Sequence, residues 1–342
     1  MRKRDKIWIL SLSLILVVLL LGITIILMMQ NRTAHQEKED NWSIESLKKG
    51  RITAIEHNKL YSACIRDKSA AEEELVLFGE EQREKYDNPK VSAIEKRMQE
   101  EYRIFAVNLG EMDEDTAKDV ERAFAYMYER YPELYGKLTN VTLANPDGFS
   151  SGHLAITEMK EYIINGEYAV CPFVVKHQIL LSASAFLKRE ELLKKCEENV
   201  LSGYWPKDAD ISAIVVHELG HQLLNAYAMQ VFEFEDIYYI TDQNDAQYAA
   251  YLTDFTKMNQ TVPKEITKQA FERWREEYPE EDYEAFCASI SGYAMGIQKD
   301  GGISYTETVA EAITDVYLHG DAAAPASKMI EETLTENLRR GK

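Results

Sequence analysis

Ile214-Val215-Val216-His217-Glu218-Leu219-Gly220-His221 decides how this chain is read. Its last five residues have the pattern H-E-x-x-H. On a helix of 3.6 residues per turn, positions four apart lie one above the other, so both imidazoles face the same side. Two neutral imidazoles placed this way can hold a zinc ion at about 2.0–2.1 Å. Glu218, one step past His217, can reach a metal-bound water without having to ligate the metal, as a hydrolytic zinc site requires. By chance the pattern arises in on the order of one chain in a hundred of this length, so the surroundings must decide. Asp208, Asp210 and Ser212 offer N-cap groups, and Ile211, Ile214, Val215 and Leu219 form an apolar stripe. A helix buried over most of its surface needs partners for His, Glu and His. A surface helix that happens to carry these residues is the weaker reading.

A catalytic zinc keeps three protein ligands and one open position, so a third group must come from elsewhere. The segment Tyr305-Thr306-Glu307-Thr308-Val309-Ala310-Glu311-Ala312-Ile313-Thr314-Asp315 supplies candidates. Glu307, Glu311 and Asp315 are spaced by four and share one helix face. That face lacks the basic partners at i+4 that a solvated acidic surface usually carries. Three carboxylates in a row repel unless a cation lies among them.

His217–His221 followed by Glu307-Thr308-Val309-Ala310-Glu311-Ala312 resembles the gluzincin metallopeptidases. The similarity is greatest to the anthrax lethal-factor-like group, which includes the phage head-associated H-E-x-x-H domains. Ser291-Gly292-Tyr293-Ala294 is similar to that group's Ser-x-Tyr, and Tyr204-Trp205-Pro206 ahead of the first histidine also fits. The resemblance covers approximately residues 100–342. It implies an α+β, zincin-like metallopeptidase domain, with a small sheet, an active-site helix and a mostly helical C-terminal part. It further implies one zinc per chain on His217, His221 and Glu307, with Glu218 as general base. Glu311 would accept a hydrogen bond from a ligand imidazole, Tyr293 would stabilise the developing oxyanion, and the substrate would be a protein or peptide. A second register, Glu311-x-x-x-Asp315, resembles thermolysin-like gluzincins and would make Glu311 the ligand instead.

The remainder of the chain is consistent with an external, membrane-anchored enzyme. Its 342 residues suffice for one substantial domain. A formal net charge of −19, from 58 acidic against 39 basic residues, argues against nucleic-acid binding, which needs a basic face. Arg2, Lys3, Arg4 and Lys6 precede an uncharged apolar stretch, Ile7–Met29. As a helix it would span about 34 Å, against a bilayer core of about 30 Å. A secretory signal usually has a shorter apolar region and a small-x-small cleavage site, neither of which is present here. The basic cluster places residues 1–6 in the cytoplasm and everything after Gln30 outside. Residues 30–100 are charged and weakly amphipathic, a helical stalk or membrane-proximal region, and residues 101–342 form the metallopeptidase domain. Cys64, Cys171, Cys196 and Cys287 show no paired metal spacing and are compatible with two disulfides or none.

Within the domain the pattern predicts helices over Met112–Tyr131, Lys188–Ser202, Glu307–Leu318 and Ala326–Arg340. A helical stretch is expected through Ala246–Met258, Pro263–Glu277 and Tyr283–Ser289. Strands are expected at Leu138–Leu143, Tyr168–Val175 and His177–Phe186. The last of these is the expected edge strand, beside the cleft, that pairs with an extended substrate. Two other readings stand beside the peptidase. One is a proteolytically inactive, zinc-stabilised binding or structural domain at the cell surface. The other is a latent protease whose cleft is covered by residues 30–100.

Overall fold

The computed structural model describes residues 89–104, 106–138, 140–144, 153–163, 171–233, 237–240, 245–296 and 304–340. The candidate anchor Ile7–Met29 and most of the expected stalk lie outside these residues. Among the described residues no helix is long and apolar enough to cross a membrane.

The architecture is α+β, mostly helical around a small mixed sheet. Helix α1 (Pro89–Tyr102) leads into β1 (Ala106–Asn108) and α2 (Glu114–Arg130). Val91, Ile94, Met98 and Tyr102 of α1 are buried, and the Tyr102 ring packs on Phe124 and Tyr128 of α2. This helix was expected in the stalk; its apolar face is instead part of the globular body. Helix α2 starts where the Asp113 carboxylate accepts the Asp115 and Thr116 amides at 3.0 and 2.9 Å, a side-chain N-cap. It stops ahead of Pro132, which begins a 3₁₀ turn.

The sheet follows: β2 (Asn140–Ala144), β3 (Ala155–Ile163), β4 (Cys171–Ser182) and, later, β5 (Ile237–Ile240). Strands β1, β2 and β4 run parallel, and β3 and β5 pair antiparallel with β4. The order β1-β2-β4-β3 corrects the edge expectation. The segment from His177 lies in an inner strand, with Gln178–Leu181 paired on both sides, and the chain then turns into the short helix α3 (Ala183–Phe186). Strand β3 stands at one end of this order and β1 at the other. In the sequence, Glu158, Lys160 and Glu161 blur the alternation that would have marked strand β3.

Helix α4 (Arg189–Leu201) precedes α5 (Ile211–Phe232), which carries the H-E-x-x-H residues. The Asp210 carboxylate caps α5 by accepting the Ala213 amide at 3.1 Å, and it is pinned by the Arg122 guanidinium at 2.6 Å. Nearly every residue of α5 is buried, because α2, α6 (Asp245–Glu277), α8 (Tyr305–His319) and β3 pack around it. The helical stretch expected through Ala246–Met258 and Pro263–Glu277 is a single helix, α6, continuous through Pro263. Phe255, Met258, Val262, Ile266 and Ala270 are all buried, and their packing outweighs the cost of about 3 kcal/mol for an internal proline. Helices α7 (Tyr283–Ala288) and α9 (Pro325–Arg340) complete the fold. Cys196 and Cys287 are buried free thiols.

Helices α5 and α8 cross at Gly220. A Cβ built on Gly220 would sit 3.1 Å from the Ala310 Cα and 3.4 Å from its Cβ. Gly220→Ala should therefore push the two helices apart. The expected loss is about 1–3 kcal/mol in chemical denaturation, a larger cost than an exposed Gly→Ala, which would stabilise a helix.

Candidate metal centre

The crossing at Gly220 brings His217 and His221 of α5 against Glu307 of α8. The two Nε2 atoms are 3.1 Å apart. The Glu307 carboxylate Oε2 lies 3.0 Å from Nε2 of His217 and 3.5 Å from that of His221. Three ligand atoms held tetrahedrally at about 2.0–2.1 Å from one zinc would be separated by about 3.3 Å. The observed triangle has nearly that size. The group could hold a metal ion, and it is the one such cluster of His, Cys, Asp or Glu among the described residues.

The remaining ring nitrogen of His217 fixes the tautomer. Nδ1 lies 2.8 Å from Glu311 Oε1, and the other Glu311 oxygen accepts the Ser291 hydroxyl at 2.6 Å. A carboxylate can only accept, so Nδ1 carries the hydrogen and the Nε2 lone pair turns towards Glu307 and His221. Two lone pairs and a carboxylate oxygen converging on one point repel unless a cation or a proton lies between them. Without metal, the proton takes that place. Burial alone would lower the His217 pKa, yet its bonds to Glu307 and Glu311 carry it well above the usual histidine range. Glu307 shows the complement: burial raises its pKa, but His221 and His217 together hold it far below the carboxylate range.

The structure separates the three carboxylates of α8 that the sequence places on one face. Glu307 joins the histidines, and Glu311 orients His217. Asp315 stands apart: it accepts His319 Nδ1 at 2.6 Å and the Ala324 amide at 2.9 Å, tying α8 to the turn before α9. His319, which has no ligand spacing in the sequence, thus has a structural partner.

Tyr293 sits on a 3₁₀ turn with its ring stacked on His217, centroids 5.4 Å apart and planes at 14°. Burial raises its pKa, followed by the nearby Glu307 carboxylate and by Tyr204 and Glu218. The phenol therefore stays protonated at neutral pH. Glu218 is buried, and its backbone carbonyl accepts the Thr157 hydroxyl of β3 at 2.8 Å. This bond anchors the edge strand to the H-E-x-x-H helix.

Sequence reasoning gave no role to Ser291, Thr157, Thr308 or Gly220. Ser291 also accepts the Ala294 amide at 3.0 Å, and the Thr308 hydroxyl donates to the Ala294 carbonyl at 2.7 Å. Together they hold the Tyr293 turn against α8. The Ser-x-Tyr spacing carried that signal for Ser291; Thr157 and Thr308 had none.

Glu311→Gln should weaken zinc affinity about 10–100-fold, measured by competition with a chromophoric chelator, while His221→Ala should abolish tight binding. Zinc loading of the wild type should release protons near neutral pH, because the raised His217 must deprotonate to ligate. Calorimetric heats would then differ between buffers of different ionisation enthalpy. Compared with family models, curated proteins and solved structures, the chain matches none.

Proposed function

We propose that the protein is a gluzincin-type zinc metallopeptidase with a zincin-like domain, carried outside the cell on the N-terminal anchor Ile7–Met29. The observation that supports this most is the ligand triangle, whose three edges fall near tetrahedral spacing with the far nitrogen of His217 tied to a buried carboxylate. A histidine pair ordered for packing alone would need no Glu311 behind it.

His217, His221 and Glu307 would hold one zinc ion. When bound, zinc supplies Lewis acidity: it acidifies water and polarises a peptide carbonyl. Glu218, next to His217 on α5 and within electrostatic reach of Tyr293, accepts a proton from the attacking water and passes it to the leaving amine. The Tyr293 phenol, kept protonated by its surroundings, donates to the oxygen on which charge develops. The outer edge of β3, unpaired among the described residues and fastened to α5 through Thr157, offers backbone groups to a substrate in extended conformation. It takes the role that the sequence assigned to His177–Phe186.

Glu218→Gln should retain zinc and fold but lose peptide cleavage by about 10²–10⁴-fold. A peptide-library digest of the wild type and the variant, with metal analysis of both, tests this. Equal cleavage by the two would end the hydrolase reading. A zinc-loaded wild type that cuts nothing would favour a zinc-stabilised binding domain.

A further inference from the structure

The structure assigns Tyr204 a role that rests on the peptidase reading: it is a positioning residue that keeps the Tyr293 phenol over the ligand triangle. Tyr204 lies in the loop between α4 and α5, far from Tyr293 in sequence, yet the two segments are joined through their backbones. The Gly292 amide donates to the Gly203 carbonyl at 2.8 Å, and the Tyr293 amide donates to the Tyr204 carbonyl at 2.8 Å. This two-rung ladder depends on two glycines. Gly203 has φ +70°, which side chains rarely adopt, and a Cβ on Gly292 would meet the Gly203 carbonyl oxygen at 3.0 Å.

The ladder is anchored at its other side. The Tyr204 and Trp205 amides both donate to the Asn199 carbonyl in the last turn of α4, at 3.0 and 3.2 Å. On this support the Tyr204 ring packs against Tyr293, centroids 5.1 Å apart and planes at 30°, while Tyr293 stacks on His217. The three rings form one chain of contacts from solvent to metal ligand. Tyr204 is 45% exposed, so its outer part is not needed for the core. Its ring meets that of Tyr293.

A tyrosine whose task is to meet a short-lived charge must already be aimed, because rotating it into place during the reaction costs rate. Its own 3₁₀ turn is a single turn long. The ring of Tyr204 adds the lateral restraint that such a turn lacks. The contact uses the face of Tyr204 and not its hydroxyl, so phenylalanine should serve equally well.

The test uses the full-length, zinc-loaded protein and the best peptide from the library digest. Tyr204→Ala should lower kcat about tenfold with KM within about twofold, and Tyr204→Phe should restore kcat. In a Tyr293→Phe background, Tyr204→Ala should cost nothing further, since the phenol it positions is gone. Additive losses in that cycle, or an effect on KM alone, would overturn the assignment. If Tyr204→Ala does not fold, Tyr204→Leu keeps apolar bulk without the ring and carries the same expectations. A crystal structure of the folded variant supplies a readout independent of activity. The Tyr293 ring is expected to have left His217; a ring still stacked there overturns the proposal whether or not any peptide is cut. A wild type that cleaves no peptide would instead count against the peptidase reading, with the crystal structure still deciding the role of Tyr204.

Discussion

Two helices approach each other at Gly220 and Ala310 as closely as backbones allow, and the candidate metal centre is built around that approach. Gly220 lies between the two histidines, and Ala310 lies between Glu307 and Glu311. With larger residues at either position, the axes of α5 and α8 would separate by the width of a methyl group or more, a displacement comparable to a metal–ligand bond. The contact is also apolar and tightly packed, so it resists adjustment. Ligand geometry is thus inherited from helix packing rather than from flexible side chains, which is what a preorganised site requires.

Burying four acidic or imidazole groups between helices, His217, His221, Glu307 and Glu311, would destabilise the fold if any were unpaired. Each has a partner. Glu311 accepts from both His217 and Ser291, Glu307 faces both Nε2 atoms, and Thr308 satisfies the Ala294 carbonyl of the turn above. This distribution distinguishes the two glutamates, which one-dimensional spacing leaves equivalent. Glu311, almost fully buried, sits behind the imidazole; Glu307, less buried, sits in front of it.

The histidine pair was legible in the sequence because its geometry is local: two imidazoles one helical turn apart share a face without help from the rest of the chain. The third member of the candidate group was legible to within a choice of two, since residues four apart on α8 share a face and the crossing at Gly220 is what brings Glu307 to the two Nε2 atoms. Asp315 shows the limit of that reasoning. It shares the face in projection, but two turns along the axis carry it to His319 and Ala324. Strand β3 was missed because its charges interrupt the alternation. The inner strand was assigned to the edge because an apolar run such as Ile179-Leu180-Leu181 fits either position. The Gly203–Tyr204 and Gly292–Tyr293 ladder was beyond reach, as nothing local announces a pairing between distant loops.

Ser291 has a consequence of its own. Its hydroxyl donates to the same carboxylate that receives the His217 hydrogen, and its oxygen accepts the Ala294 amide at the start of the Tyr293 turn. Any change in how strongly His217 leans on Glu311 therefore alters the other end of the carboxylate and, through it, the turn. Were the centre to take up a cation, loading it and setting the phenol would be two faces of a single equilibrium, with a serine as the hinge pin between them.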